Sequence, residues 1–108
     1  MTQRTLQVLP VLALLLSLVA CERSGVHDVT LYTHCGIHEL QFEDQWYERA
    51  GGPLDDGSGN PPPGWDNPEQ EGTVTRVDAS TLLFSDEPGH REEFVLREGA
   101  TSPKQSCD

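Results

Sequence analysis

The fold of this chain is decided by residues 73–97, which read TVTRVDASTLLFSDEPGHREEFVLR. Three β-branched or apolar runs are separated by short polar segments, as in consecutive antiparallel strands: 73–77, 81–85 and 93–97. Pro88 and Gly89 between the last two runs supply the fixed negative φ and the permitted positive φ of a type II turn. Alternation places four apolar side chains on one face: Leu82, Phe84, Phe94 and Leu96. A three-stranded meander with one apolar face is therefore predicted.

The segment before this meander adds further strands. Alternation at Val29, Leu31 and Thr33 predicts a half-buried strand. Residues 37–48 are ambiguous, but a turn at 43–44 would make them a hairpin, whereas a helix would lack a continuous apolar stripe. Strands are favoured, so the predicted fold class is all-β, a small antiparallel meander or barrel-like sheet of five to six strands.

Residues 50–71 change character sharply. Their density of glycine and proline predicts one long irregular loop, because neither residue supports a regular element there. Trp65 follows the proline-rich run and has a large apolar area to bury. We expect residues 61–65 to lie against the sheet and residues 55–60 to be mobile.

The N-terminus has the pattern of a lipoprotein leader. Arg4 precedes an apolar stretch of about 15 residues, which is shorter than the roughly 20 that a membrane span needs. The stretch ends in LVAC (18–21), which resembles the lipobox of bacterial lipoproteins, whereas an ordinary secretory leader would carry a small residue in place of Leu18. We expect a signal-peptide helix over 1–20, diacylglycerol on Cys21, a tether over 21–28 and a single small β domain over 29–108.

The charge of the chain limits its partners. Eighteen acidic residues face seven basic ones, for a net charge of −11. This composition argues against nucleic acid, since phosphate backbones favour clustered Lys and Arg. It also argues against binding of a polybasic segment to anionic lipids, so membrane contact at the extracytoplasmic face would depend on the lipid anchor. Solubility is the simplest role of the charge, with attraction of cations or a basic partner as the alternative.

The three cysteines predict one disulfide. If lipidation uses Cys21, an oxidising compartment leaves Cys35 and Cys107 to pair with each other. The bridge would close most of the domain into one loop and stabilise it by about 4 kcal/mol in the chain-entropy model. The alternative is two free thiols.

Two stretches carry a resemblance to a protein family. They are YTHCGIHE (32–39) and GNPPPGWDNP (59–68). Together with the lipobox and the late Cys107, they resemble a family of small secreted or lipid-anchored proteins of actinobacteria, over nearly the whole mature chain. The resemblance implies the same cell-envelope address and the same cysteine pair, and it implies no activity.

The sequence favours a binding module over an enzyme. It contains no nucleophile elbow, phosphate-binding loop or HExxH motif, and no cysteine is left over as a nucleophile. We expect a non-enzymatic interaction module without a cofactor, whose partner is an envelope protein or ligand. Trp46, Tyr47 and Trp65 are the candidate recognition residues, because exposed aromatic side chains often carry binding energy. The alternative is that all three lie in the core.

The histidines suggest a second function, metal binding. Imidazole suits zinc and copper, and the candidates are His27, His34, His38 and His90. No complete zinc-ligand spacing is present, and Cys35 is assigned to the disulfide. Ordinary polar roles for these histidines are therefore favoured over a metal-binding envelope protein.

Overall fold

The structure is a computed structural model that describes residues 25–105 and Cys107. Its six strands are β1 (Val26–Tyr32), β2 (Glu39–Phe42), β3 (Gln45–Arg49), β4 (Glu69–Asp78), β5 (Thr81–Ser85) and β6 (Arg91–Leu96). They form one antiparallel sheet in the order β1-β4-β5-β6-β3-β2. Because the end strands β1 and β2 also contact each other, the sheet curls into a nearly closed barrel. The predicted all-β fold is confirmed.

Strands β4, β5 and β6 form the predicted meander, with an irregularity in the β4–β5 register between Arg76 and Asp78. The turn before β6 differs in one detail from the expected type II turn. Gly89 has the expected positive φ of 109°, but its N–H donates to the carbonyl oxygen of Asp86 at 3.2 Å. A turn centred on Pro88 and Gly89 would instead be closed by the N–H of His90. That N–H donates to the Asp86 carboxylate, which also accepts the N–H of Gly89.

Residues 39–49 form the predicted hairpin of β2 and β3. Its turn residues, Glu43 and Asp44, have φ values of 52° and 65°. Positive φ at both central residues is the geometry of a type I′ turn, whose twist matches that of the flanking strands. Strand β3 then pairs with β6 and joins the hairpin to the meander.

Strand β1 starts earlier than expected. It begins at Val26, so the last three residues of the expected tether, 26–28, pair with β4. Across the seam between β1 and β2, the rings of His27 and Phe42 lie 5.3 Å apart. The expected signal-peptide helix and the expected lipidation site, Cys21, lie outside the described residues. Within 25–105 and 107, no helix is long and apolar enough to span a membrane.

The core lies inside the curled sheet. In the part of the chain that the structure describes, it consists of eight buried hydrophobic side chains: Leu31, Ile37, Leu40, Tyr47, Val74, Leu82, Phe84 and Phe94. Gly72 on β4 makes room for one of them, because a Cβ there would lie 2.5 Å from the ring of Phe84. Leu82, Phe84 and Phe94 are fully buried and Leu96 packs against them, as the alternation in the sequence predicts.

The loop between β3 and β4 is fastened to the sheet at its second half. Pro61 is buried, and Trp65 stacks on Phe84 with ring centroids 6.0 Å apart. The hydroxyl of the buried Thr33 donates to the carbonyl oxygen of Asp66. The predicted contact of residues 61–65 with the sheet is confirmed, and residues 55–60 are exposed.

Candidate binding cleft

A cleft of about 660 Å³ lies where β1 ends and β2 begins. Its volume falls within the roughly 300–1,000 Å³ of small-molecule sites. The described lining comes from β1, the β1–β2 connection, β3, the long loop and the C-terminal segment: Tyr32, His34, Cys35, Gly36, His38, Glu39, Trp46, Asp55, Gly59, Pro103, Gln105 and Cys107. Segments distant in sequence therefore build this one site.

Two aromatic side chains face the cleft. Tyr32, the last residue of β1, is 48% exposed, and Trp46 on β3 is partly buried. The ring of His34 meets that of Tyr32 edge-on, at 6.2 Å and 78°. Large, half-exposed rings around a concave surface are the usual source of binding energy for small ligands.

The disulfide between Cys35 and Cys107 forms part of the cleft wall. The two Cα atoms lie 6.3 Å apart, within the usual range for a disulfide. Cys35 and Gly36 have φ values of 75° and 107°, and the N–H of Gly36 donates to the carbonyl oxygen of Thr33 at 2.8 Å. The predicted cysteine pair is present, and it holds the C-terminal segment against this turn.

That C-terminal segment, residues 102–105 and 107, is called the strap below. Its main polar anchor is Glu39, whose side chain is only 7% exposed. The Glu39 carboxylate accepts Arg97 Nη1 at 2.5 Å and the backbone N–H of Lys104 at 2.6 Å. Arg97 also donates to the carbonyl oxygen of Ser102 at 3.0 Å, so the strap backbone is held by hydrogen bonds to the Glu39–Arg97 ion pair as well as by the disulfide.

Asp55 reaches the cleft from the long loop. Ile37 and Leu54 exchange two backbone hydrogen bonds, of 2.8 and 3.0 Å, and so position the residue that follows. A Cβ on Gly36 would lie 2.8 Å from Cβ of Asp55 and 3.0 Å from Nε2 of His38. A glycine is therefore needed at position 36 both for its positive φ and for the close approach of the loop.

Two of the four candidate metal histidines line the cleft. His34 Nδ1 lies 3.2 Å from Oδ1 of Asn67, and His38 Nε2 lies 2.8 Å from the carbonyl oxygen of Cys35. His27 is instead exposed at the barrel seam, and His90 lies in the β5–β6 turn. Within residues 25–105 and 107, no three of these histidines bring ligand nitrogens within 4.8 Å of one another. The structure does not assemble the four-histidine site.

A different group does come together. One ring nitrogen of His34 and the sulfurs of Cys35 and Cys107 all lie within 4.8 Å of one another. Both sulfurs are joined in the disulfide, so neither acts as a thiolate ligand in this state. The sequence places Cys35 next to His34, but Cys35 was assigned to the bridge, and no local signal indicated that Cys107 would also lie beside His34.

Of the three candidate recognition residues, only Trp46 lines the cleft. Tyr47 is fully buried in the core, and its hydroxyl accepts Arg76 Nη1 at 3.3 Å. That hydrogen bond is the main reason why the pKa of Arg76 is raised. Trp65 is partly buried away from the cleft, stacked between the loop and the sheet. Tyr32 was not predicted, although its place on the solvent side of an alternating strand was a usable signal.

Trp65 is held by a second set of contacts outside the cleft. Its ring stacks on His90 with centroids 3.8 Å apart, and His90 Nδ1 lies 2.6 Å from Oδ2 of Asp86. The Asp86 side chain is fully buried. Burial opposes its ionisation, but the hydrogen bonds and charge of His90 outweigh that effect, and the pKa of Asp86 is lowered. This cluster therefore fastens the loop to the sheet.

The fold and site together define a small, disulfide-closed, barrel-like β domain with an aromatic cleft. Comparisons with protein-family models, curated proteins and solved structures found no match to this chain. The function is therefore argued from the cleft itself.

Proposed function

We propose that this protein is a non-enzymatic binding module of the cell envelope and that its ligand site is the aromatic cleft. The observation that carries the proposal is the concave surface of about 660 Å³ on which Tyr32 and Trp46 are both accessible. A concave surface lined by aromatic side chains and a few polar groups is the usual form of a small-molecule site.

The rigidity of the cleft supports the same function. The disulfide fixes one wall, and the carboxylate of Glu39 fixes the strap. A wall that is already ordered loses little conformational entropy when a ligand binds, so more of the contact energy appears as affinity. A disulfide placed in the wall of a cleft thus favours ligand binding as well as fold stability.

A fragment screen by ligand-observed NMR tests this proposal. We expect apolar and aromatic fragments that bind the wild type to lose affinity by about five- to tenfold for Tyr32→Ala, since one aromatic contact is worth about 1–1.5 kcal/mol. Val77→Ala is the matched control, because Val77 is 54% exposed on β4 and does not line the cleft. Equal binding by Tyr32→Ala and the wild type would contradict the proposed site.

The envelope location is a separate part of the proposal. It is supported by the LVAC motif ending at Cys21 and by a disulfide pair, which suits an oxidising compartment. Mass spectrometry of the membrane fraction tests it. The wild type is expected to carry diacylglycerol on Cys21 and to partition with the membrane, whereas Cys21→Ser is expected to do neither. An unmodified Cys21 in the wild type would contradict the lipid anchor.

A second candidate function, metal binding, is favoured by one observation, the cluster of His34 with the two cysteine sulfurs. Reduction by a dithiol would add two electrons and two protons to the disulfide and form two thiols. A divalent ion would then displace both thiol protons and take two thiolates and one imidazole, a soft ligand set that suits zinc. The contact of His34 with Asn67 would orient the ring, as partners of metal-bound histidines commonly do.

Cobalt titration of the reduced protein tests this second function. A thiolate-to-cobalt absorption band in the near ultraviolet is expected, with at least about tenfold weaker binding for His34→Gln, because even the loss of an outer-shell partner of a metal ligand costs about 10–100-fold in affinity. His90→Gln is the control, because His90 lies outside the cluster. If the band is absent, or if His34→Gln binds as the wild type does, the metal-binding function is excluded.

A further inference from the structure

The part of the cleft that the structure describes has more negative than positive charge. Its described lining includes two carboxylates, Glu39 and Asp55, and neither Lys nor Arg. The charge of Glu39 is balanced by Arg97 at 2.5 Å. Asp55 accepts the N–H of Gly57 at 2.8 Å, and it forms no ion pair with any of the described residues. Among the described residues, one carboxylate at the cleft, that of Asp55, therefore has no cationic partner.

The rest of the protein strengthens this negative potential. The chain has a net charge of −11. Most basic side chains of the described residues are already held by carboxylates at 2.5–3.2 Å: Arg49, Arg76, Arg97 and Lys104. A concave surface with apolar walls focuses such a potential and raises the local concentration of cations. The field at the cleft thus favours positively charged ligands.

The aromatic side chains of the cleft favour organic cations over metal ions. Rings of Trp and Tyr attract a cation that lies within about 6 Å of their centroids, and alkylated ammonium groups also bury their alkyl surface against them. Tyr32, Trp46 and the disulfide provide these apolar walls, and Asp55 provides the counter-charge. A bare metal ion would gain little from such walls, because it binds oxygen, nitrogen or sulfur ligands.

We propose that the cleft binds a small organic cation, namely an alkylated ammonium group on a compact apolar body. This inference rests on the proposed function, because it names the ligand class of the same cleft. It also gives the acidic composition a role beyond solubility.

A pair of probes that differ in charge alone tests the proposal. Choline and its neutral carbon isostere, 3,3-dimethylbutan-1-ol, have nearly the same shape. Each is titrated into the full ¹⁵N-labelled protein while the two tryptophan indole N–H signals are followed. The signal of Trp46 is expected to move and that of Trp65 to stay, since Trp46 lines the cleft and Trp65 does not. Choline is expected to bind about tenfold more tightly than the isostere.

Two charge variants locate the effect. Asp55→Asn keeps an oxygen for the Gly57 N–H and removes the charge, so it is expected to weaken choline binding several-fold and leave the isostere unchanged. Asp28→Asn is the control, because it removes the same charge four residues from Tyr32 along β1, about 13 Å away. Added salt is expected to weaken choline binding and not that of the isostere.

The outcomes separate this inference from the proposed function. If the isostere binds as tightly as choline and still moves the Trp46 signal, the cation preference is wrong while cleft binding stands. An equal loss of choline affinity in Asp55→Asn and Asp28→Asn would also overturn the inference, because the effect would then come from the net charge of the protein and not from a carboxylate at the cleft. If neither probe moves the Trp46 signal at tens of millimolar, the cation inference fails, and the fragment screen alone decides on the cleft.

Discussion

Removing the disulfide between Cys35 and Cys107 is expected to cost a large part of the stability of this domain. The two residues are 72 positions apart, and the chain-entropy relation for a closed loop of that size gives about 4.4 kcal/mol at 25 °C. The cost arises in the unfolded chain, because Glu39 still holds the strap in the folded state. At roughly 4–8 °C per kcal/mol for a domain of this size, the melting temperature is expected to fall by about 18–35 °C.

Urea and thermal unfolding, followed by circular dichroism, measure this difference between the wild type and Cys35→Ala/Cys107→Ala. All chains carry Cys21→Ser, so that no third thiol exchanges with the bridge. The variant is also expected to show a larger dependence on urea, because an unbridged chain exposes more surface when it unfolds. Reduced wild type should behave like the variant. A loss below about 1 kcal/mol would refute the entropic reasoning, since the loop length alone demands more.

Three further predictions concern single positions. The pKa of Asp86 is lowered in the folded state, so its contribution to stability is present above its ordinary pKa, near 3.8, and is lost as the pH falls through the lower folded value. Asp86→Asn is therefore expected to reduce the loss of unfolding free energy at acid pH, measured by urea unfolding between about pH 2 and 6. An unchanged pH profile in this variant would exclude the effect. Asp44→Gly is expected to raise the free energy of unfolding by about 0.5–1 kcal/mol, because φ is 65° there, and a lower melting temperature would count against it. Gly72→Ala is expected to destabilise the protein by about 1–3 kcal/mol because its methyl group would meet the ring of Phe84, and near-wild-type stability would show that the sheet yields.

The strands were predictable because local patterns determine them. Alternation identified β1, the hairpin and the meander, and the outcome agrees with six antiparallel strands. The ends of the strands were harder to predict. Strand β1 begins at Val26 because this residue pairs with Thr75 on β4, and the local sequence does not reveal that pairing. The pairing of Cys35 with Cys107 could be predicted from the number of cysteines and the expectation of an oxidising compartment.

The cleft was harder to predict because it is made by distant segments. Trp46 and Tyr47 are neighbours on β3, and neighbours on a strand point to opposite faces, so the two could not both be exposed on one side. Sequence alone did not say which one faces the core. The place of Asp55 depends on the bridge between Ile37 and Leu54, a contact across 17 positions that carries no local signature.

The disulfide in the cleft wall also bears on the order in which the cysteines can pair. On the proposed export, the chain enters the oxidising compartment from its N-terminus, so Cys35 arrives 72 positions ahead of Cys107. Cys21 is then the cysteine already present with Cys35, and a pair between Cys21 and Cys35 would leave the strap unattached. On the proposed lipoprotein assignment, the thioether at Cys21 removes that competing thiol. Lipidation would then act as a safeguard against misoxidation as well as an anchor.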